Sequence, residues 1–168
     1  MRRAILLALA LLATSAAGLG ATAAGDSGKD VLEFDTMTPV VEPFTGHDNA
    51  IRGVDGGGLP WELDRARGRL RSDGRLDIKV EGLVLARREP VPEALRGVNP
   101  VAQFRAIVSC LKPDDGDVAT VNTTTEPVTA SRAGDARIRT DVDLPEPCVA
   151  PIVFVTSPTE AWFASTGM

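Results

Sequence analysis

The chain has 168 residues, a formal net charge of −5, two cysteines and a single histidine. That length suits one ordinary domain with a real core. The acidic balance argues against general nucleic-acid affinity, and one histidine with two cysteines leaves no ligand set for a zinc centre.

The N-terminus is the first segment with a legible purpose. Arg2 and Arg3 precede an apolar run from Ala4 to about Ala13, and Ala21-Thr22-Ala23 has the small-x-small form of a signal-peptidase site. The segment predicts a secretory signal peptide over 1–23, with the cut after Ala24 as the close alternative. The run falls short of the ~20 apolar residues a bilayer requires, so no transmembrane span is expected in the mature chain. Removal of Arg2 and Arg3 takes the net charge to −7 and leaves 24–168 as a single secreted β domain. Cys110 and Cys148, an even count in an exported chain, then predict one disulfide.

The mature chain opens with VLEFDTMTPVV, which alternates weakly around Leu32, Phe34 and Met37. A long loop over 43–59, PFTGHDNAIRGVDGGGL, leads to Pro60 and to Trp61 at a strand entrance. Next comes RARGRLRSDGRLDIKVE, residues 65–81, in which arginine occupies every second position before a turn. A two-residue Asp73-Gly74 loop would set Leu70 against Asp77 and mix the two faces, which a half-buried hairpin does not tolerate. A three-residue loop, Ser72-Asp73-Gly74 with Gly74 left-handed, pairs Leu70 with Leu76, Gly68 with Ile78 and Ala66 with Val80. On the other face it sets Arg69 against Asp77, Arg67 against Lys79 and Arg65 against Glu81. This is the register expected.

Residues 87–101 read as a second long loop, holding one or two helical turns in PVPEALRGV, with Pro92 near the start and Gly97 as the stop. FRAIVSCL puts Phe104, Ala106, Val108 and Cys110 on one strand face. ARIRTDVDL puts Ala136, Ile138, Val142 and Leu144 on one side. PIVFVTS is a nearly continuous apolar run, as in a strand buried on both faces, and AWFAS offers a last short strand. The turn clusters PDDGD and SRAGD separate these runs. Together they predict an all-β fold, an antiparallel β-sandwich or partly closed barrel of seven to eight strands with one disulfide.

Candidate chemistry is sparse. Arg65, Arg67, Arg69, Arg71, Arg75 and Lys79 share one face with Asp77 and Glu81. The simplest reading is a solvated face that discourages edge-to-edge aggregation. The functional reading is an anion-binding strip for an anionic envelope polymer or an acidic protein surface. The triple glycine at Gly56 to Gly58 has neither the P-loop nor the GxGxxG spacing, and predicts a tight loop with backbone close to a neighbour. His47-Asp48 could act as a base with its orienter, though adjacent residues usually point apart. Asp114, Asp115 and Asp117 form an acidic turn without the EF-hand order. Asn122-Thr123-Thr124 fits a glycosylation sequon. Trp61 and Trp162 are core or rim residues; a sugar platform would need one of them exposed. No catalytic residue, metal or cofactor is assigned.

The stretches IRGVDGGGLPWELDRARGRLRSDGRLDIKVEGLVL, NPVAQFRAIVSCL, EPCVAPIVFVTSP and AWFASTG resemble a group of secreted proteins of high-GC, actinobacterial-type bacteria that have no assigned activity. The resemblance spans roughly Val31 to Gly167. It implies export and a β-rich domain, and it transfers no site residue. The expectation is a secreted, extracellular or cell-wall-associated binding or structural module without enzymatic activity. The alternatives are a hydrolase built on carboxylates such as Asp48 and Asp55, and a protease inhibitor presenting the loop over 87–101.

Overall fold

A computed structural model describes residues 28–167 of the chain. The expected signal peptide over 1–23 lies outside them. The described chain is almost entirely β, in antiparallel sheets that do not close into a barrel.

Eight strands have four residues or more: β1 (Asp30–Phe34), β4 (Arg65–Arg71), β5 (Arg75–Glu81), β7 (Gln103–Asp114), β8 (Asp117–Thr124), β10 (Ala136–Asp141), β11 (Val149–Thr156) and β12 (Trp162–Ser165). Four two-residue strands, β2 (Thr38–Pro39), β3 (Trp61–Glu62), β6 (Val84–Leu85) and β9 (Val128–Thr129), stitch the loops to them. One sheet runs β1-β4-β5-β10. The larger runs β2-β12-β11-β7-β8, with β9 also paired to β7, and β3 pairs with β6.

The hairpin register is the expected one: Arg65 pairs with Glu81, Ala66 with Val80, Arg67 with Lys79, Gly68 with Ile78, Arg69 with Asp77 and Leu70 with Leu76. Gly74 adopts φ +85° and donates its N–H to the Arg71 carbonyl. A Cβ there would strike the carbonyl of Val142, so the corner needs glycine for both conformation and space. The alternation then sorts the residues. Ala66, Leu70, Leu76, Ile78, Val80 and, across from β5, Ile138 are buried in one continuous core with Phe104, Val108, Val153, Val155 and Trp162 of the larger sheet.

Both tryptophans lie inside, Trp61 at 3% and Trp162 at 0% exposure, so neither is a sugar platform. Trp61 stacks on Phe163 with ring centroids 3.9 Å apart. β7 is buried on both faces from Ala106 to Cys110 rather than on one, because Ile107 and Ser109 are also covered. β11 is the reverse: its second half is buried throughout, but Val149 and Ala150 at its entrance are exposed. Cys110, fully buried on β7, is bonded to Cys148 just before β11.

β8 and β9 have no counterpart in the sequence reading. β8 is the outer strand of its sheet, and its residues alternate only between exposed and half-buried. The anticipated helical turn is a 3-10 segment, Glu93–Leu95, stopped by Gly97 at φ +68°.

Candidate functional site: the charged face of the four-stranded sheet

The outward positions of the central and far strands follow from the alternation. They are Arg65, Arg67, Arg69 and Arg71 on β4; Arg75, Asp77, Lys79 and Glu81 on β5; and Arg137, Arg139 and Asp141 on β10. All eleven are charged and eight are basic. β10 joins β5 with Arg137 opposite Lys79 and Arg139 opposite Asp77. This pairing adds two arginines that the sequence-based strip omitted. A chain of net negative charge therefore carries a concentrated positive face.

The ion pairs on this face differ from the expected cross-strand ones. Asp77 lies opposite Arg69, but its Oδ2 accepts from Arg137 Nη2 at 2.8 Å and from Arg139 Nη2 at 3.0 Å. Partial burial pushes the Asp77 carboxyl up, and the hydrogen bonds and charges of the two arginines outweigh this, so that it titrates below its ordinary range. Glu81 lies opposite Arg65 but accepts from Lys79 Nζ at 2.7 Å, and that bond, chiefly, lowers its titration. The physical reason is reach. Arg137 and Arg139 approach Asp77 from the edge strand with long side chains, and Lys79 sits two residues from Glu81 on the same side of one strand.

The two arginines at the turn are held locally. Arg75 grips Asp73 through Nε at 2.8 Å, which chiefly holds the Asp73 carboxyl down at about 2. Arg71 donates from Nε to the Gly28 carbonyl at 2.8 Å and lies 3.8 Å from Asp30. The two acids of β5, Asp77 and Glu81, are thus taken by bases other than Arg65, Arg67 or Arg69. Those three are exposed and have no ion-pair partner within 4.0 Å among the described residues. Across the sheet runs an open depression of about 530 Å³, with Glu33, Phe34 and Asp35 from β1 and the residue after it, Arg67 and Arg69 from β4, Asp77 and Lys79 from β5, and Arg137 from β10. Glu33 is the Cα partner of Arg69 across β1 and β4.

A second cluster sits on the loop over 43–59. His47 does not pair with Asp48; its Nδ1 meets Asp55 Oδ2 at 2.7 Å. Backbone bonds from Gly46 N–H to the Gly57 carbonyl and from Gly56 N–H to the Gly46 carbonyl clamp the two arms together. The clamp is tight, because a Cβ on Gly56 would strike the Phe44 carbonyl. The hydrogen bond and charge of Asp55 raise the His47 titration above 6.5. The pair borders an open depression of about 430 Å³ that also touches Asn122, Thr124, Thr159 and Glu160. Both residues are solvent-exposed, His47 almost completely.

Asp114 and Asp117 flank a two-residue hairpin loop in which Asp115 and Gly116 take φ +42° and +98°. Among the described residues no group of three or more histidine, cysteine or acidic side chains is arranged to hold a metal ion. No helix among them is long and apolar enough to cross a membrane. No protein-family model matches the sequence, and neither curated proteins nor solved structures yield a similar chain.

Proposed function

We propose that this chain is a secreted, non-enzymatic binding module whose ligand surface is the outward face of β4, β5 and β10. The disulfide and the lack of a membrane-crossing helix among the described residues are compatible with an extracellular setting. The observation that carries the reading is the row of Arg65, Arg67 and Arg69: three exposed guanidiniums on one strand while the acids of the neighbouring β5 are engaged by other bases. Guanidinium forks that lack an internal partner are available to an anion from outside.

Glu62, Asp73, Asp77 and Glu81 are all displaced downward by basic partners or backbone donors, which makes them poor proton donors at neutral pH. The test is retention on purified cell envelope. The native protein is expected to be retained at low salt and released at high salt, and Arg67→Glu with Arg69→Glu is expected to abolish retention. Equal, salt-insensitive retention of both proteins would overturn the reading.

One observation favours a second reading, a secreted hydrolase. The 2.7 Å bond between His47 and Asp55, backed by the Gly46–Gly56 clamp, is an oriented imidazole beside a depression. A hydrolytic activity lost in His47→Gln and retained in Arg67→Glu/Arg69→Glu would move the function to that loop.

A further inference from the structure

We infer that the ligand of this face is a linear polyanion, bearing phosphate or carboxylate groups at regular intervals, that lies lengthwise along β4. The inference rests on the binding-module reading above and specifies what is bound.

The three free guanidiniums do not converge on a point. They stand on alternate residues of one strand, so their stems are about 7 Å apart and the row spans about 14 Å, from the rise of ~3.4 Å per residue. A single small anion engages one of them, or two at a stretch, and leaves the rest unused. A chain with repeated oxyanions engages all three in register. On the side of the row facing β5, Asp77 and Glu81 are held by Arg137, Arg139 and Lys79, and the third acid of the face, Asp141, lies beyond them, opposite Arg75. The free charge is therefore a line and not a disc.

The chemistry of the face also separates a polymer from an acidic protein surface. Protein interfaces depend on desolvated aromatic and aliphatic anchors at their centre. Not one of the eleven outward positions on β4, β5 and β10 is apolar. Binding driven by charge and counterion release needs no such anchor. The β1 end of the depression gives the direction of a further effect. Glu33 and Asp35 repel a chain lying beside Arg67 and Arg69, so their neutralisation strengthens binding.

The experiment titrates the purified protein with poly(glycerol phosphate) of graded length, with alginate, with poly-glutamate, and with glycerol phosphate as the single-phosphate control. Tightening as length grows to three charges, and little further, supports the inference. So does a log–log salt slope of about −2, from ~0.7 per contacted charge for a flexible single-stranded polyanion. Arg65→Gln/Arg67→Gln/Arg69→Gln is expected to lose about tenfold or more, and Glu33→Gln/Asp35→Asn to gain severalfold. Comparison of poly(glycerol phosphate) with alginate assigns the oxyanion as phosphate or carboxylate. Unfolding curves matching the native protein's show that the variants are folded; if the triple variant unfolds early, Arg67→Lys, which keeps charge but loses the fork, replaces it and is expected to weaken binding. Binding of glycerol phosphate as tight as that of the polymer overturns the inference. Binding of poly-glutamate alone supports it and assigns carboxylate as the repeated group. Binding of no anion, or full binding by the triple variant, overturns both.

Discussion

His47 and Asp55 show how a single contact becomes measurable. The folded protein holds the His47 proton more tightly than the unfolded chain, because Asp55 lies 2.7 Å away and is exposed along with it. Its contribution to stability is therefore complete below the unfolded value of 6.5 and is lost as the pH rises through the higher folded value. An NMR titration of the imidazole is expected to show a midpoint above 6.5 in the native protein and near 6.5 in Asp55→Asn. A native midpoint unchanged by that substitution would dissociate the pair. The sequence does not disclose this partner, for a geometric reason. Asp48 is adjacent along the chain, but adjacent side chains diverge, whereas the Gly46–Gly56 backbone clamp brings in Asp55 from eight residues away. Gly74 was legible, because the demand for a left-handed residue follows from local register alone. Gly74→Ala adds strain at φ +85° and a clash with the Val142 carbonyl. The left-handed conformation alone costs an L-residue about 1–2 kcal/mol, so urea unfolding is expected to show a loss of roughly 2 kcal/mol or more.

The hairpin of β4 and β5 could be read in full because everything that fixes it lies within seventeen residues: alternation, turn glycine, and the requirement that Leu70 and Leu76 share a side. β8 was illegible for the opposite reason. As the outer strand of its sheet it has no buried residue, and DVATVNTT carries no clean apolar face to betray it. The pattern of β10 marks a strand but omits its place beside β5. Its register against β5 spans some sixty residues and is set by burial of Ile138 beside Ile78, which no local pattern reports. That omission hid Arg137 and Arg139, and with them the true partners of Asp77. The disulfide was readable from count and compartment, and its role belongs to the same level. It closes a 38-residue separation and fastens the end of β7's buried stretch to the approach of β11. Chain-entropy arithmetic gives about 4 kcal/mol for a loop of that size. Cys110→Ala/Cys148→Ala is expected to lower the unfolding free energy by about that amount. A loss under about 1 kcal/mol would show that β7·β11 pairing holds the region unaided.

Over the whole molecule, folding separates charges that the chain mixes. In sequence, acids outnumber bases and are interspersed with them. In the fold, eight bases and three acids gather on the outward side of three adjacent strands. At 0.1 M salt the screening length is about 10 Å. A surface approaching this face is therefore governed by the charges on it, while acids farther off are largely screened. A protein with a sequence pI of about 4.9 is expected, when folded, to be retained at pH 7 and low salt on a sulfonate resin, a matrix that normally repels acidic proteins. The same chain in 8 M urea should pass through, since unfolding disperses the charges without changing their number. Arg65→Gln/Arg67→Gln/Arg69→Gln should elute earlier than the native protein, and by more than three lysine or arginine neutralisations elsewhere on the surface, such as Lys29, Arg88 and Lys112. If folded and unfolded chains elute alike, or if the position of the neutralised charges makes no difference, then net charge alone governs the behaviour. The sheet face would in that case be no more than a solvated surface.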